Sequence, residues 1–448
     1  MRPPPTAVRP ALDRRNDVDV TTLTRRYHLI TPLLGGGVES ARTDPITMIR
    51  GSAIRGQLRF WWRATRGGRF NGDLKRMKEA EDLLWGAAST AERPRPSRVQ
   101  IDVTGVDVGQ EFVVRDRRGG AAKDKYGGDV SIWHYDSPYS YVAFPLQPKR
   151  GQEQPRGGSG VREDVGFSLT VSYHPPQREG TDAAVTDSVA MEDIEAALWA
   201  WETLGGIGAR TRRGFGALRC IEADGVTTQQ PPDARDVMRQ FRQAYQDHVV
   251  AGVWPADVPN LGHGMGIKLT ARVDDPLIVW QDLIDRYKRF RQDRHGGRGR
   301  SKWPEPDEIR RLTGQTLLPR HAQRLSTVAK FPRAVFGLPI IYHFKDNPDG
   351  KSFAHNVDPQ DTTLKQHGRE RLASPLILRP LPCANNRAVG MALVLAPRRL
   401  ALDNLVLEVQ DGSGDRAAAS DLAVAEALAI NPLHGQADVL QAFLDSLS

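Results

Sequence analysis

Ile49-Arg50-Gly51-Ser52-Ala53-Ile54-Arg55-Gly56-Gln57-Leu58-Arg59-Phe60-Trp61-Trp62-Arg63-Ala64 is the stretch whose reading organises the rest of the chain. Ser52 reads as an N-cap, and residues 53–65 read as a helix. On that helix Arg55, Arg59 and Arg63 recur every four residues, on one face. Like charges at this spacing destabilise an isolated helix by roughly 0.2–0.5 kcal/mol per pair, and the segment holds no acid to relieve them. Phosphates are a fitting countercharge, because a guanidinium offers forked donors and a flat face for stacking. The adjacent tryptophans point about 100° apart. One is expected in the core with Leu58. The other, taken as Trp62, is a candidate for base stacking, although packing at a second core contact is the more ordinary reading.

A second stretch, Gly205-Gly206-Ile207-Gly208-Ala209-Arg210-Thr211-Arg212-Arg213-Gly214-Phe215-Gly216, combines glycines with three arginines. It has neither the GxGxxG nor the GxxxxGK[ST] spacing, and it follows a helix rather than a strand, so it is not a dinucleotide or P-loop motif. Glycines allow close backbone approach and positive φ, and amides in such a loop can face phosphates. A plain helix-to-strand turn is the alternative reading.

Charge patterning supports the phosphate reading. The 448 residues carry a formal charge of only +8. Residues 49–78 hold nine basic residues against Asp73, and residues 286–302 hold eight against Asp293. Residues 205–219 hold four and no acid. The remainder is therefore net acidic. Clustering of this kind is the footprint of a polyanion partner, whereas a single run would read as a solvated face. Arg50 in the first cluster, and Arg298 and Arg300 in the second, join the candidate contacts.

Other classes are excluded or disfavoured. A hydrophobic fraction of 39% is too high for global disorder, and no run approaches the roughly 20 apolar residues of a membrane span. The opening MRPPPTAVRPALDRRND has no apolar stretch behind its arginines, so no secretory signal is expected. Two cysteines, Cys220 and Cys383, build neither a disulfide framework nor a four-thiolate zinc site. A reducing cytoplasm is the expected location. The histidines His28, His134, His174, His343, His355 and His367 are scattered, with no HxxxH or GxSxG arrangement, and no metal, cofactor or small-molecule substrate is expected.

Along the chain, strands are expected near 20–30, 99–114, 167–173, 217–221, 266–273, 335–344, 375–381 and 389–396. Helices are expected near 73–86, 191–204, 234–249, 277–292 and 437–447. Residues 115–129, 147–162, 294–304 and 345–370 read as loops or hairpin tips. Strands and helices mix without strict alternation, which gives an α+β class. Residues 1–20 read as a tail, and the polar stretch 222–234 divides the chain into units of about 21–225 and 226–448.

Thr31-Pro32-Leu33-Leu34-Gly35-Gly36, then Arg55-Gly56 with Leu58–Ala64, then Gly205–Gly216, resemble the RAMP superfamily of CRISPR proteins, most closely the first-numbered RAMP subunit of type III-B (Cmr) effector complexes. Residues 335–340 and 371–376 resemble the family more loosely. The resemblance implies two ferredoxin-like (RRM-like) domains with loop and hairpin insertions. It implies a non-catalytic RNA-binding subunit towards the 3′ end of the CRISPR RNA, holding guide RNA and helping to capture target RNA beside other RAMP subunits, for antiviral defence. The alternative is a RAMP endoribonuclease. Neither a membrane nor a small molecule is an expected partner.

Overall fold

Leu23, Tyr27 and Leu29 are buried along one side of the strand Thr21–Leu29, while Thr22, Thr24 and Arg26 are exposed. This period of two places the strand over a core on one face. In the computed structural model, which describes residues 20–35, 44, 47–88, 95–116, 119–147, 160–175, 187–293, 301–315, 328–344, 357–397, 402–409 and 414–447, it is the middle strand of an antiparallel sheet. Gly166–Tyr173 pairs on one side and Leu218–Ala223 on the other. Val99–Asp107 lies beyond the first, and Val226–Thr227 beyond the second. Helices Gly51–Arg66 and Asp187–Leu204 pack against each other. Along the chain this unit reads strand, helix, two strands, helix, strand. Across the sheet those four strands stand in the order second, third, first, fourth.

The second half repeats part of that plan. Gly266–Asp274, helix Pro276–Gln292, Leu376–Cys383 and Arg387–Val394 follow in sequence, and the antiparallel sheet again runs second, third, first. Trp280, Ile284, Tyr287 and Phe290 form the buried stripe of the helix, as its spacing predicts. The helix Val439–Asp445 docks through Leu440 and Phe443. The fold is thus mixed α/β with antiparallel sheets.

A further four-stranded sheet, Ile340–Tyr342, Thr362–Gln366, Leu405–Val409 and Arg416–Ala418, has its own core of Leu364, Leu405, Leu407 and Ile309. Two sequence expectations change here. Residues 335–344 are a 3-10 turn, Pro332–Phe336, followed by a three-residue strand, and the supposed loop 345–370 contains the strand Thr362–Gln366. Two polar residues among its three inward ones hid it: Thr362, Leu364 and Gln366 are all buried.

The polar stretch at 222–234 is no open linker. Asp224 and Gly225, both at positive φ, turn a hairpin within the first sheet. Helix Ala234–His248 then packs on Asp187–Leu204 and on Gly266–Asp274. One hydrophobic core runs from Leu23, Leu58 and Trp201 to Ile377, Met391 and Leu393. Residues 1–19, 36–37 and 294–300 lie outside the described residues, so the tail, Gly36, Arg298, Arg300 and most of the basic glycine loop are not placed.

Candidate nucleic-acid interface

The helix Gly51–Arg66 begins two residues before the expected start. Arg50 takes the cap position with extended backbone, and no side chain caps the helix, so Ser52 is not the cap. Ile54, Leu58, Trp61 and Trp62 face the core. Both tryptophans are buried, Trp62 at 0% exposure. Its indole N–H donates to Asp193 Oδ2 at 2.8 Å, and Asp193 also takes Arg66 at 3.1 Å and pairs with Arg69. Trp62 is therefore corrected from a stacking candidate to a core anchor: its ring is covered and its one donor is spent.

The arginine stripe finds its countercharge inside the protein. Glu81, on the helix Leu74–Trp85, is buried, and its Oε1 accepts from Arg59 Nε at 2.7 Å and from an Arg63 terminal nitrogen at 2.6 Å. Asp82 lies 3.9 Å from Arg59 and pairs with Lys78. The acids missing from the segment come from the next helix. Arg55 alone of the three is exposed and has no carboxylate partner among the described residues. Replacing Glu81 by Gln removes the charge that both arginines share. Because the two guanidiniums are part-exposed and can rehydrate, the expected loss of stability is about 1–2 kcal/mol. Denaturant unfolding measures it, and an unchanged midpoint would remove the pairing from the account of this helix.

The two glycine-bearing motifs meet physically. Pro32 O accepts from Gly216 N at 2.9 Å, and Leu34 O from Ala209 N at 2.7 Å. The Thr31 hydroxyl donates to Gly214 O at 2.6 Å and accepts from Ala217 N at 2.8 Å. Gly208 and Gly216 have φ of +84° and +61°, and a Cβ on either would lie 2.5 Å from Leu34 O or 1.9 Å from Ile207 O. These glycines are required by a doubled-back chain that has carbonyls packed against it. Gly205 and Gly206 are buried where the loop leaves the helix.

The arginines of the loop divide by environment. Arg213 is a structural pin: it donates to Leu376 O at 2.7 Å and Tyr287 Oη at 3.2 Å and lies over the Tyr287 ring. Arg212 donates to Ser374 O and lies 5.5 Å from the Phe60 ring centroid. Arg210, at φ +57°, lies over Phe144, and its Nε is buried with no partner. Burial, with Arg213 close by, pulls both Arg210 and Arg212 down to about 10. Neither has a carboxylate among the described residues within ion-pair distance. They remain charged at neutral pH, partly desolvated and without a carboxylate among the described residues, which is the condition an anion relieves. Phe215 is corrected as well. It is fully buried and set edge-on against Trp280, 4.8 Å between centroids, so it supports the loop rather than meeting a base.

The aromatic that is available was missed by sequence reasoning. Phe144 is 59% exposed beside Arg210, but it lies 66 positions before it, with no pattern linking the two. Between the arginine helix and the loop there is a cleft of about 200 Å³, lined by Gly56, Phe60, Gly205, Thr211, Arg212 and Ile377 among others. No histidine lines it. Among the described residues no group of three or more His, Cys, Asp or Glu is placed to hold a metal ion, and no helix is long and apolar enough to cross a membrane.

Comparison with known proteins meets these motifs. The RAMP superfamily profile matches residues 26–219, from the first strand through the glycine loop. Residues 26–219 are a RAMP-superfamily region. The chain also resembles the Cmr1 subunits of the type III-B CRISPR system. It is 28% identical over 175 residues to CRISPR system Cmr subunit Cmr1-1 of Pyrococcus furiosus, a match covering 39% of this chain and 41% of that protein. It is 27% identical over 193 residues to Cmr1-2 of the same organism, covering 42% of this chain and 90% of that one. Among solved structures it is similar to apo Cmr1 from P. furiosus, with TM-score 0.46, 16% identity, and 87% and 94% of the two chains covered. It is similar also to a chain of the type III-B Cmr-beta complex bound to cognate target RNA, with TM-score 0.44, 11% identity, and 84% and 94% covered. The matched RAMP region contains both the arginine helix and the loop that define the cleft.

Proposed function

We propose that this chain is a non-catalytic, RNA-binding subunit of a type III-B CRISPR effector ribonucleoprotein. It sits towards the 3′ end of the CRISPR RNA, holds guide RNA and helps capture target RNA beside other RAMP subunits. Its two halves are ferredoxin-like units meeting near residue 225. The second, third, first, fourth strand order supports this for the first, and the incomplete second, third, first order for the second. The observation that carries the functional reading is the pair Arg210 and Arg212, half-buried without a carboxylate among the described residues, with Arg212 on the wall of the cleft. Their charge is held for an external anion, and Arg50 and Arg55 extend the basic surface from the helix. The RNA-binding set proposed from this geometry is Arg50, Arg55, Arg210 and Arg212, with Phe144 as a stacking face.

The full chain and a fluorescent single-stranded RNA, titrated between about 50 and 200 mM salt, test this. Wild type binds with a steep salt dependence and leaves the RNA intact. Replacing Arg55 and Arg210 by alanine together flattens the slope by roughly 1.4, on the basis of about 0.7 for each phosphate no longer neutralised. Defined cleavage products would overturn the non-catalytic reading, and an unchanged slope would move the RNA elsewhere. Recovery of the tagged chain from its host with a short RNA and other RAMP subunits tests the assembly. Crosslinking to the 5′ rather than the 3′ part of that RNA would overturn the position.

A further inference from the structure

Gly56 stands in the middle of the helix Gly51–Arg66, and it is exposed. Glycine is among the poorest residues for such a site, because it gives up the most backbone freedom on folding and adds no side chain. At buried glycines nearby, close packing accounts for the residue. A Cβ on Gly67 or Gly68 would come within 2.6 or 2.7 Å of Trp254, and one on Gly205 within 2.7 Å of Trp201 O. At Gly56 a Cβ would meet nothing within 4 Å among the described residues, and φ there is not positive. Nothing described inside the protein needs this glycine.

Its surroundings suggest what does. Gly56 lines the same cleft as Arg212 and Gly205. Arg212 lies over Phe60, one helical turn after Gly56, and among the described residues its side chain donates to the Ser374 carbonyl alone. A bare strip of helix backbone therefore shares a cleft with a half-buried cation that has an aromatic ring beside it. We infer that Gly56 is a close-approach site: the sugar–phosphate backbone of a single-stranded RNA passes directly over its Cα, with a phosphate on Arg212 and a sugar or base against Phe60. This rests on the RNA-binding reading above and adds a positioning residue that carries no charge and donates no side-chain hydrogen bond. A side chain on the strip would hold the backbone off by the radius of a methyl group and lengthen the phosphate–guanidinium contact.

Stability and binding should then respond in opposite directions. Gly56→Ala restores helix propensity, so Tm rises by roughly 1–2 °C. The same variant binds a single-stranded RNA of about 20 nucleotides at least fivefold more weakly, and Gly56→Leu, which fills the cleft mouth, at least twentyfold more weakly. The salt slope changes little for the alanine variant, because no cation is removed. Ser52→Ala, exposed one turn earlier, is the control and leaves affinity within twofold. A lower Tm for Gly56→Ala would show an internal reason for the glycine and overturn the inference. Unchanged affinity with a raised Tm would overturn it too, and would assign the strip to a protein neighbour if Gly56→Leu then blocked assembly with other RAMP subunits. Failure of the wild type to bind RNA would instead sink the RNA reading itself.

Discussion

Gly216→Ala is expected to cost more than about 3 kcal/mol, and to leave much of the protein unfolded or aggregated at about 37 °C. Its φ is +61°, and an added Cβ would be 1.9 Å from the Ile207 carbonyl oxygen. Ile207 N donates in turn to Gly216 O at 3.0 Å, so the two strands of the loop cannot separate without breaking that bond. Gly216 N is tied to Pro32 O as well, and displacement would unseat the Thr31–Leu34 segment. Two factors act together, the left-handed backbone and contact with a carbonyl that has nowhere to move. Gly225→Ala is the matched comparison. Gly225 also has positive φ, at +80°, but nothing stands within 4 Å of its Cβ position. It should cost only about 1 kcal/mol, the backbone part alone. Urea unfolding of both variants tests this, and equal midpoints would show that packing around Gly216 relaxes freely.

Arg379→Ala is the second large effect, expected at about 3–5 kcal/mol. Arg379 has no exposed surface, donates to Gly205 O at 2.6 Å and Leu218 O at 2.9 Å, and has no acidic partner among the described residues. Burial pulls its pKa down to about 9. Alanine would leave two carbonyls without a donor and a void the length of the side chain. Arg379→Met separates these contributions, since it refills the space and removes the desolvated charge while giving up the hydrogen bonds. A methionine variant midway between alanine and wild type is expected. One as stable as wild type would mean that the guanidinium sets loop geometry at no net gain in stability.

Residue patterning carried much of this structure. The alternation at Phe167, Leu169, Val171 and Tyr173 gave a strand with one buried face, and the Trp280–Phe290 stripe gave a helix with its buried side. What escaped was set by partners distant in sequence. The arginine stripe looked unneutralised because Glu81 lies 22 positions beyond Arg59 and 18 beyond Arg63, and side-chain spacing within one helix cannot show which helix packs on it. Trp62 and Phe215 looked available because arginines surround them in sequence, whereas burial by Asp193 and Trp280 is decided in space. The small sheet built on Thr362–Gln366 escaped because its inward residues include Thr362 and Gln366, and polar residues turned inward give no hydrophobic alternation to read. At and beside the cleft, the residues carrying the proposals are those with no carboxylate partner among the described residues, Arg55, Arg210 and Arg212, and the bare backbone of Gly56.

The glycine loop also sits on the seam between the halves. Arg213 is tied to Leu376, Trp280 donates its indole N–H to Arg213 O at 2.8 Å, and Arg379 reaches back to Gly205. A ligand held by this loop therefore draws its affinity from a surface that exists only while helix Pro276–Gln292 and strand Leu376–Cys383 are docked on the loop. By mass action, each tenfold excess of such a ligand over its Kd adds about 1.4 kcal/mol to the docked state. Occupancy should consequently slow amide exchange in strands Leu376–Cys383 and Arg387–Val394, which form no part of the cleft apart from Ile377. The loop thus serves as a latch whose closing strength is set by the concentration of what it holds.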